Sequence, residues 1–223
     1  MSEKKSSIVF MGTPEYAAKI LRALAEAKFE IAAVFTQPDK PVGRKQILTP
    51  SEVKIYAQQH LPAAPIFQPV SLKDEAIAAQ IKELKPDFIV VAAYGKILPQ
   101  AVLDIAPCIN LHASILPKYR GASPIQSAIL AGEKQTGVTA MLMDAGLDTG
   151  DMLDFDYTPC EDKTAAQLFD ELGDLAGNLF RFEILNIGEI QFYAFFRTIP
   201  GHCVRNRQIH FRVKFRKYAV EVI

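Results

Sequence analysis

Short apolar runs alternating with longer stretches of helical period set the rhythm of this chain. "SIVFM" (7–11) is apolar after Ser7 and reads as a strand buried on both faces, and "GTPEYAAKILRALAEAKF" (12–29) follows as a turn and a helix. Thr13 is the expected N-cap and Pro14 the first helical position, with Ala17, Ile20, Leu21 and Leu24 on one face. Further strands are expected over "EIAAVF" (30–35), "PIFQP" (65–69), "DFIVVAA" (87–93), "CINLHAS" (108–114), "TGVTAMLM" (136–143) and "DMLDFDY" (151–157). Helices are expected over 51–60, 74–85, 124–133 and 163–180. Apolar strands joined through helices predict a doubly wound α/β domain with a mostly parallel, Rossmann-like sheet, because the crossovers place helices on both faces. "TQPDKPVGRKQILTP" (36–50) is too long for a mere connector and is expected as a loop; it carries Lys40, Arg44 and Lys45 among three prolines and a glycine.

In such sheets ligands sit beyond the carboxyl ends of the strands, so polar residues there matter. Asn110 and His112 lie two apart on an expected strand and share a face. Alone, such a histidine is more often a packed, hydrogen-bonded side chain. What changes the reading is "MDAGLDTGD" (143–151), where Asp148 lies between Gly146 and Gly150 and the backbone can fold closely around a ligand. Asp144 and Asp151 read as ordinary loop solvation. A carboxylate beside an imidazole, with an amide N–H for a developing oxyanion, suits acyl or formyl transfer to an amine. No G-x-S-x-G is present and Cys108 lacks an adjacent base, so acyl-enzyme chemistry is not expected. One His and one Asp are too few for a metal site, and "MGTPEY" lacks the glycine fingerprint of dinucleotide binding.

Composition narrows the partners. The 223 residues carry 25 basic and 25 acidic side chains, so no global field draws the chain to nucleic acid or membrane, and a polyanion must be met locally. Cys108, Cys160 and Cys203 have neither disulfide nor metal-ligand spacing, which fits a reducing cytoplasm. The apolar stretch near the N-terminus is too short for a signal peptide, and no apolar run reaches the roughly 18 residues of a membrane span. A cytoplasmic monomer is expected. Residues 183–223 differ in kind: seven Lys or Arg against three Glu, with no clear period apart from the strand-like "QIHFRVKF" (208–215).

"CINLHASILPKYRGASPIQSAILAGEKQTGVTAMLMDAGLDTGDML" (108–153) resembles the catalytic core of the formyltransferases that use 10-formyltetrahydrofolate. Within that family, "MGTPEYAAKIL", "VFTQPDKPVGRKQILTPSEVK", "FQPVSLK" and "VVAAYGKILPQAVLD" are similar to the enzymes that formylate methionyl-tRNA, over roughly residues 7–180. The resemblance implies that Asn110 and His112 hold and polarise the formyl oxygen while Asp148 pairs with the imidazole and moves protons. It also implies a folate site lined by Ser114, Ile115, Leu116 and Pro117, joined by Ile97 and Leu98, and contacts from Lys40, Arg44 and Lys45 to the acceptor arm of initiator methionyl-tRNA. Two rivals remain. One is a small-amine formyltransferase of the glycinamide ribonucleotide type, which shares the three polar residues but lacks the 36–50 insertion; the other is a non-catalytic folate- or RNA-binding module. Residues 1–182 are expected to form the catalytic domain. Residues 183–223 do not resemble the C-terminal β-barrel of the family and are expected to be an altered-frame or truncated basic tail, with weakened tRNA binding and turnover.

Overall fold

The computed structural model describes residues 5–186, with side chains as far as residue 180. In chain order the elements are β1 (Ser7–Gly12), α1 (Glu15–Glu26), β2 (Glu30–Phe35), β3 (Lys40–Val42), β4 (Ile47–Thr49), α2 (Glu52–His60), β5 (Ile66–Phe67) and α3 (Glu75–Glu83). They continue with β6 (Phe88–Ala92), α4 (Gln100–Leu103), β7 (Cys108–His112), α5 (Pro124–Leu130), β8 (Gln135–Leu142), β9 (Met152–Pro159) and α6 (Ala165–Asn186). Seven strands form one sheet in the order β5-β2-β1-β6-β7-β8-β9. The first five pair in parallel, while β8 and β9 are antiparallel additions. The doubly wound, mostly parallel α/β sheet is as the sequence predicts.

Period-two alternation along the strands builds two cores. Ile8, Phe10, Val34, Val90, Ile109, Leu111 and Val138 face the buried side chains of α1, α2, α5 and α6. Val9, Met11, Phe35, Ile89, Val91 and Cys108 point the other way, onto Ile81 of α3 and Val102 of α4. Beyond Cys108, this second face carries Asn110 and His112 with their β8 partners Met141 and Thr139. Loops at 113–123 and 143–151 reach these side chains, and this loop-covered end of the sheet is where polar groups collect.

Three local expectations are corrected. Pro14, not Thr13, is the N-cap of α1, with extended backbone at ψ 178, and the Thr13 hydroxyl instead donates to Tyr94 O, two residues past the neighbouring β6. The 36–50 segment is not all loop: β3 and β4 pair as an antiparallel hairpin that turns at Gly43, whose φ of +70 a glycine adopts without steric cost. The short helix α4 was not foreseen, since four residues carry too little period. Residues 183–186 belong to α6, and the rest of the expected basic tail lies outside the described residues.

Tyr94 is 1% exposed and its hydroxyl has no hydrogen-bond partner among the described residues. Burial pushes its phenol up to about 12. An unpaired buried donor costs about 1–3 kcal/mol, whereas the ring packs in the second core. Tyr94→Phe is therefore expected to stabilise the domain by about 1 kcal/mol, read as a higher urea midpoint at unchanged m-value.

Candidate active site

Asn110 and His112 project from the same face of β7 and are only 8% and 6% exposed. Asp148 comes to them from the loop between β8 and β9. Its Oδ1 accepts from Asn110 Nδ2 at 3.2 Å, and its Oδ2 accepts from the backbone N–H of Gly121 at 2.8 Å and lies 3.7 Å from His112 Nδ1. His112 Nε2 is 2.9 Å from the carbonyl oxygen of Tyr119. A carbonyl can only accept, so Nε2 carries a hydrogen and Nδ1 is the nitrogen turned to the carboxylate. Both carboxylate oxygens thus receive donors, and the amide, imidazole and carboxylate converge as the spacing suggested.

Each loop is built to hold its part. Asp148 sits at φ +51, in the left-handed region that Asp tolerates better than most residues with a Cβ. Asp144 is more than solvated: its Oδ1 accepts from the Gly146 N–H at 2.9 Å and the Thr149 hydroxyl at 2.7 Å, cross-bracing the loop. Asp151 is exposed. After β7, fully buried Thr139 takes the Leu116 N–H at 3.1 Å and donates to Ser114 O at 2.7 Å, so β8 fixes the root of the 113–121 segment. The Ser114 hydroxyl then donates to Lys118 O at 2.7 Å.

Residues 4–181 match the family model described as formyl transferase. The chain belongs to the formyl transferase family. It is 73% identical over 173 residues to the methionyl-tRNA formyltransferase of Campylobacter curvus, covering 78% of this chain and 58% of that one. It is 54% identical over 215 residues to that of Campylobacter hominis, covering 96% of this chain and 71% of that one. Against the C. curvus protein the chain spans a little over half the length. A solved phosphoribosylglycinamide formyltransferase from Streptococcus pneumoniae shares the fold at 23% identity and a TM-score of 0.66, covering 82% of this chain and 99% of that one.

The remaining positions expected from the formyl transferase resemblance divide by exposure. Ile97 is 74% exposed, Pro117 is exposed and Ile115 half-buried, so these can meet a ligand. Leu98 and Leu116 pack inside, and Ser114 is fully buried with its hydroxyl hydrogen already given to Lys118 O. These three shape the backbone instead of presenting side chains. Lys40, Arg44 and Lys45 are exposed on the β3–β4 hairpin. The hairpin root is tied down by Asp39, which accepts from Lys54 Nζ and Gln68 Nε2, each at 2.7 Å, while the Gln37 amide donates to Tyr94 O at 3.0 Å. The Lys54 ammonium, foremost, holds the Asp39 carboxyl below the usual carboxylate range. Lys96 was missed: its ammonium donates to the carbonyls of Pro69 and Val70, and burial with Lys40 nearby pulls its pKa down. Tyr119, Gly121 and Thr139 were missed as well. Thr139 alone left a signal, as a hydroxyl inside an apolar strand. Among the described residues no cluster of His, Cys, Asp or Glu is placed to hold a metal, and no helix is long and apolar enough to cross a membrane.

Proposed function

We propose that this chain transfers the formyl group of 10-formyltetrahydrofolate to the amino group of methionine esterified to initiator tRNA. The observation that carries the reading is the convergence of Asn110, His112 and Asp148 at the loop-covered end of the sheet. Folate supplies the activated formyl group, and the accessible apolar side chains Ile97, Ile115 and Pro117 suit a flat ring. As the neutral amine attacks, a new C–N bond forms and negative charge gathers on the formyl oxygen. Asn110 spends one amide hydrogen on Asp148, leaving the other for that oxygen. Since His112 Nε2 is committed to Tyr119 O, its task lies at Nδ1, opposite Asp148. That division differs from the sequence expectation that both side chains grip the oxygen. As the bond from the formyl carbon to the folate nitrogen breaks, its electron pair goes to that nitrogen, which gains a proton while the attacking amine loses one. The His112–Asp148 pair is placed to relay that proton through water.

The β3–β4 hairpin favours a polyanionic acceptor over a small amine, because three exposed cations on one hairpin can neutralise phosphates. Labelled formyl transfer to charged initiator tRNA and to glycinamide ribonucleotide, run side by side with this chain, tests the reading. Transfer to the small amine alone overturns the acceptor, and binding of either substrate without transfer overturns the enzyme. Replacing Lys40, Arg44 and Lys45 together by Ala should weaken tRNA binding and flatten the slope of log K against log salt by roughly two, at about 0.7 per lost contact. An unchanged slope in a filter-binding titration removes the hairpin from the tRNA interface.

A further inference from the structure

The segment that holds His112 is itself held from its outer side. Tyr119 lies at φ +57, a conformation unfavourable for a residue with a Cβ unless its surroundings enforce it. Its phenol O–H donates to Glu133 Oε1 at 2.6 Å, and Lys118 Nζ donates to the same oxygen at 2.8 Å. Glu133 stands between α5 and β8, and its own N–H donates to Ala128 O at 3.1 Å, so it is anchored to the helix. On the inner side, the Tyr119 carbonyl receives His112 Nε2, and two residues on, the Gly121 N–H is donated to Asp148. Tyr119 therefore has its side chain on Glu133 and its backbone on the imidazole. The hydrogen bond from Lys118 holds the Glu133 carboxyl below the usual carboxylate range, with Tyr119 adding to it, which keeps the acceptor charged at neutral pH. Glu133 bonds to neither Asn110 nor Asp148; it lines an open depression of about 750 Å³ with Ile115, Lys118, Tyr119 and Lys134.

We propose that Glu133, acting through the Tyr119 phenol, is a positioning residue for His112: it fixes the Tyr119 carbonyl that caps Nε2 and so keeps Nδ1 turned to Asp148. This rests on His112 serving the proposed formyl transfer. Without the clamp, the left-handed Tyr119 relaxes, its carbonyl turns away, and the imidazole is free to rotate.

The test pairs kinetics with NMR of the full chain carrying 15N-labelled histidine, the His112 Nε2–H signal being assigned by its absence in His112→Ala. Glu133→Ala and Tyr119→Phe should each broaden that signal through solvent exchange and lower kcat roughly 10- to 100-fold with KM unchanged. Glu133→Gln should retain most of both, because its amide oxygen still accepts the phenol. The double variant Glu133→Ala/Tyr119→Phe should be no worse than either single one. A signal unchanged in both single variants, or strictly additive losses, overturns the proposal. Tyr119→Phe keeps the ring in its packing, so it decides the matter even where Glu133→Ala fails to fold. Absence of formyl transfer by the unmodified chain would sink the functional reading instead, while the His112 signal would still decide the positioning.

Discussion

Asp148→Asn is expected to lower kcat/KM for formyl transfer by about 10³-fold while leaving the fold intact. The carboxylate receives a donor on each oxygen, Asn110 Nδ2 at 3.2 Å and the Gly121 N–H at 2.8 Å. A side-chain amide offers only one acceptor oxygen, so its NH2 must confront either the Asn110 Nδ2 donor or the Gly121 N–H. In either orientation one donor loses its partner and the negative charge opposite the imidazole disappears. The group is nearly buried, with about a tenth of its side chain exposed, so little water is at hand to replace what is lost. His112→Ala should cost a similar factor, and the two changes combined should cost little more than either, because they disable one proton-moving unit. Rates come from single-turnover transfer of labelled formyl group to charged initiator tRNA, with circular dichroism confirming the fold. Near-normal turnover in Asp148→Asn would remove the carboxylate from the chemistry.

The sequence showed these three residues because each broke a strong pattern. Asn110 and His112 interrupt an otherwise apolar strand on one of its two faces, and Asp148 stands between glycines just after another. The sheet was legible for the same reason, since strands buried on both faces leave continuous apolar runs. What completes the site was not legible. The Tyr119 carbonyl and the Gly121 N–H are backbone groups, and every residue has them; only the fold aims them at His112 and Asp148. Asp144 looked like solvated loop because its bonds to Gly146 and Thr149 are local and follow no period. The β3–β4 hairpin hides behind the three prolines and the glycine of 36–50, which spell loop, and its apolar residues are exposed, Val42 at 56%, Ile47 at 61% and Leu48 at 65%, so no buried alternation marks the strands. Residue type alone points to Thr13 as the cap of α1, but the N-cap position falls on Pro14 and the Thr13 hydroxyl donates to Tyr94 O, two residues past β6.

Gly150→Ala should damage the site from outside it. A Cβ at this position would lie 1.8 Å from the carbonyl oxygen of Leu142, 2.9 Å from its carbon and 3.3 Å from the Asp144 nitrogen. All three are backbone atoms, so no side-chain tip can swing aside to make room. The contact sits where the 143–151 loop closes on itself, sealed by the Leu142 N–H donating to Asp151 O at 2.8 Å. An added methyl must push that closure apart, loosening the Asp144 brace and carrying Asp148 away from Asn110 and His112. Overpacking of this kind costs about 3 kcal/mol, which for a domain of this size lowers Tm by roughly 6–12 °C. Because displacement of about 1 Å can cost roughly 10²-fold in rate, turnover per folded molecule should fall far more than the folded fraction does. The assay is therefore run well below the variant's Tm, with the folded fraction measured in the same buffer. A Gly150→Ala protein with wild-type Tm and kcat would mean that the loop closes differently, and the placement of Asp148 beside the imidazole would fall with it.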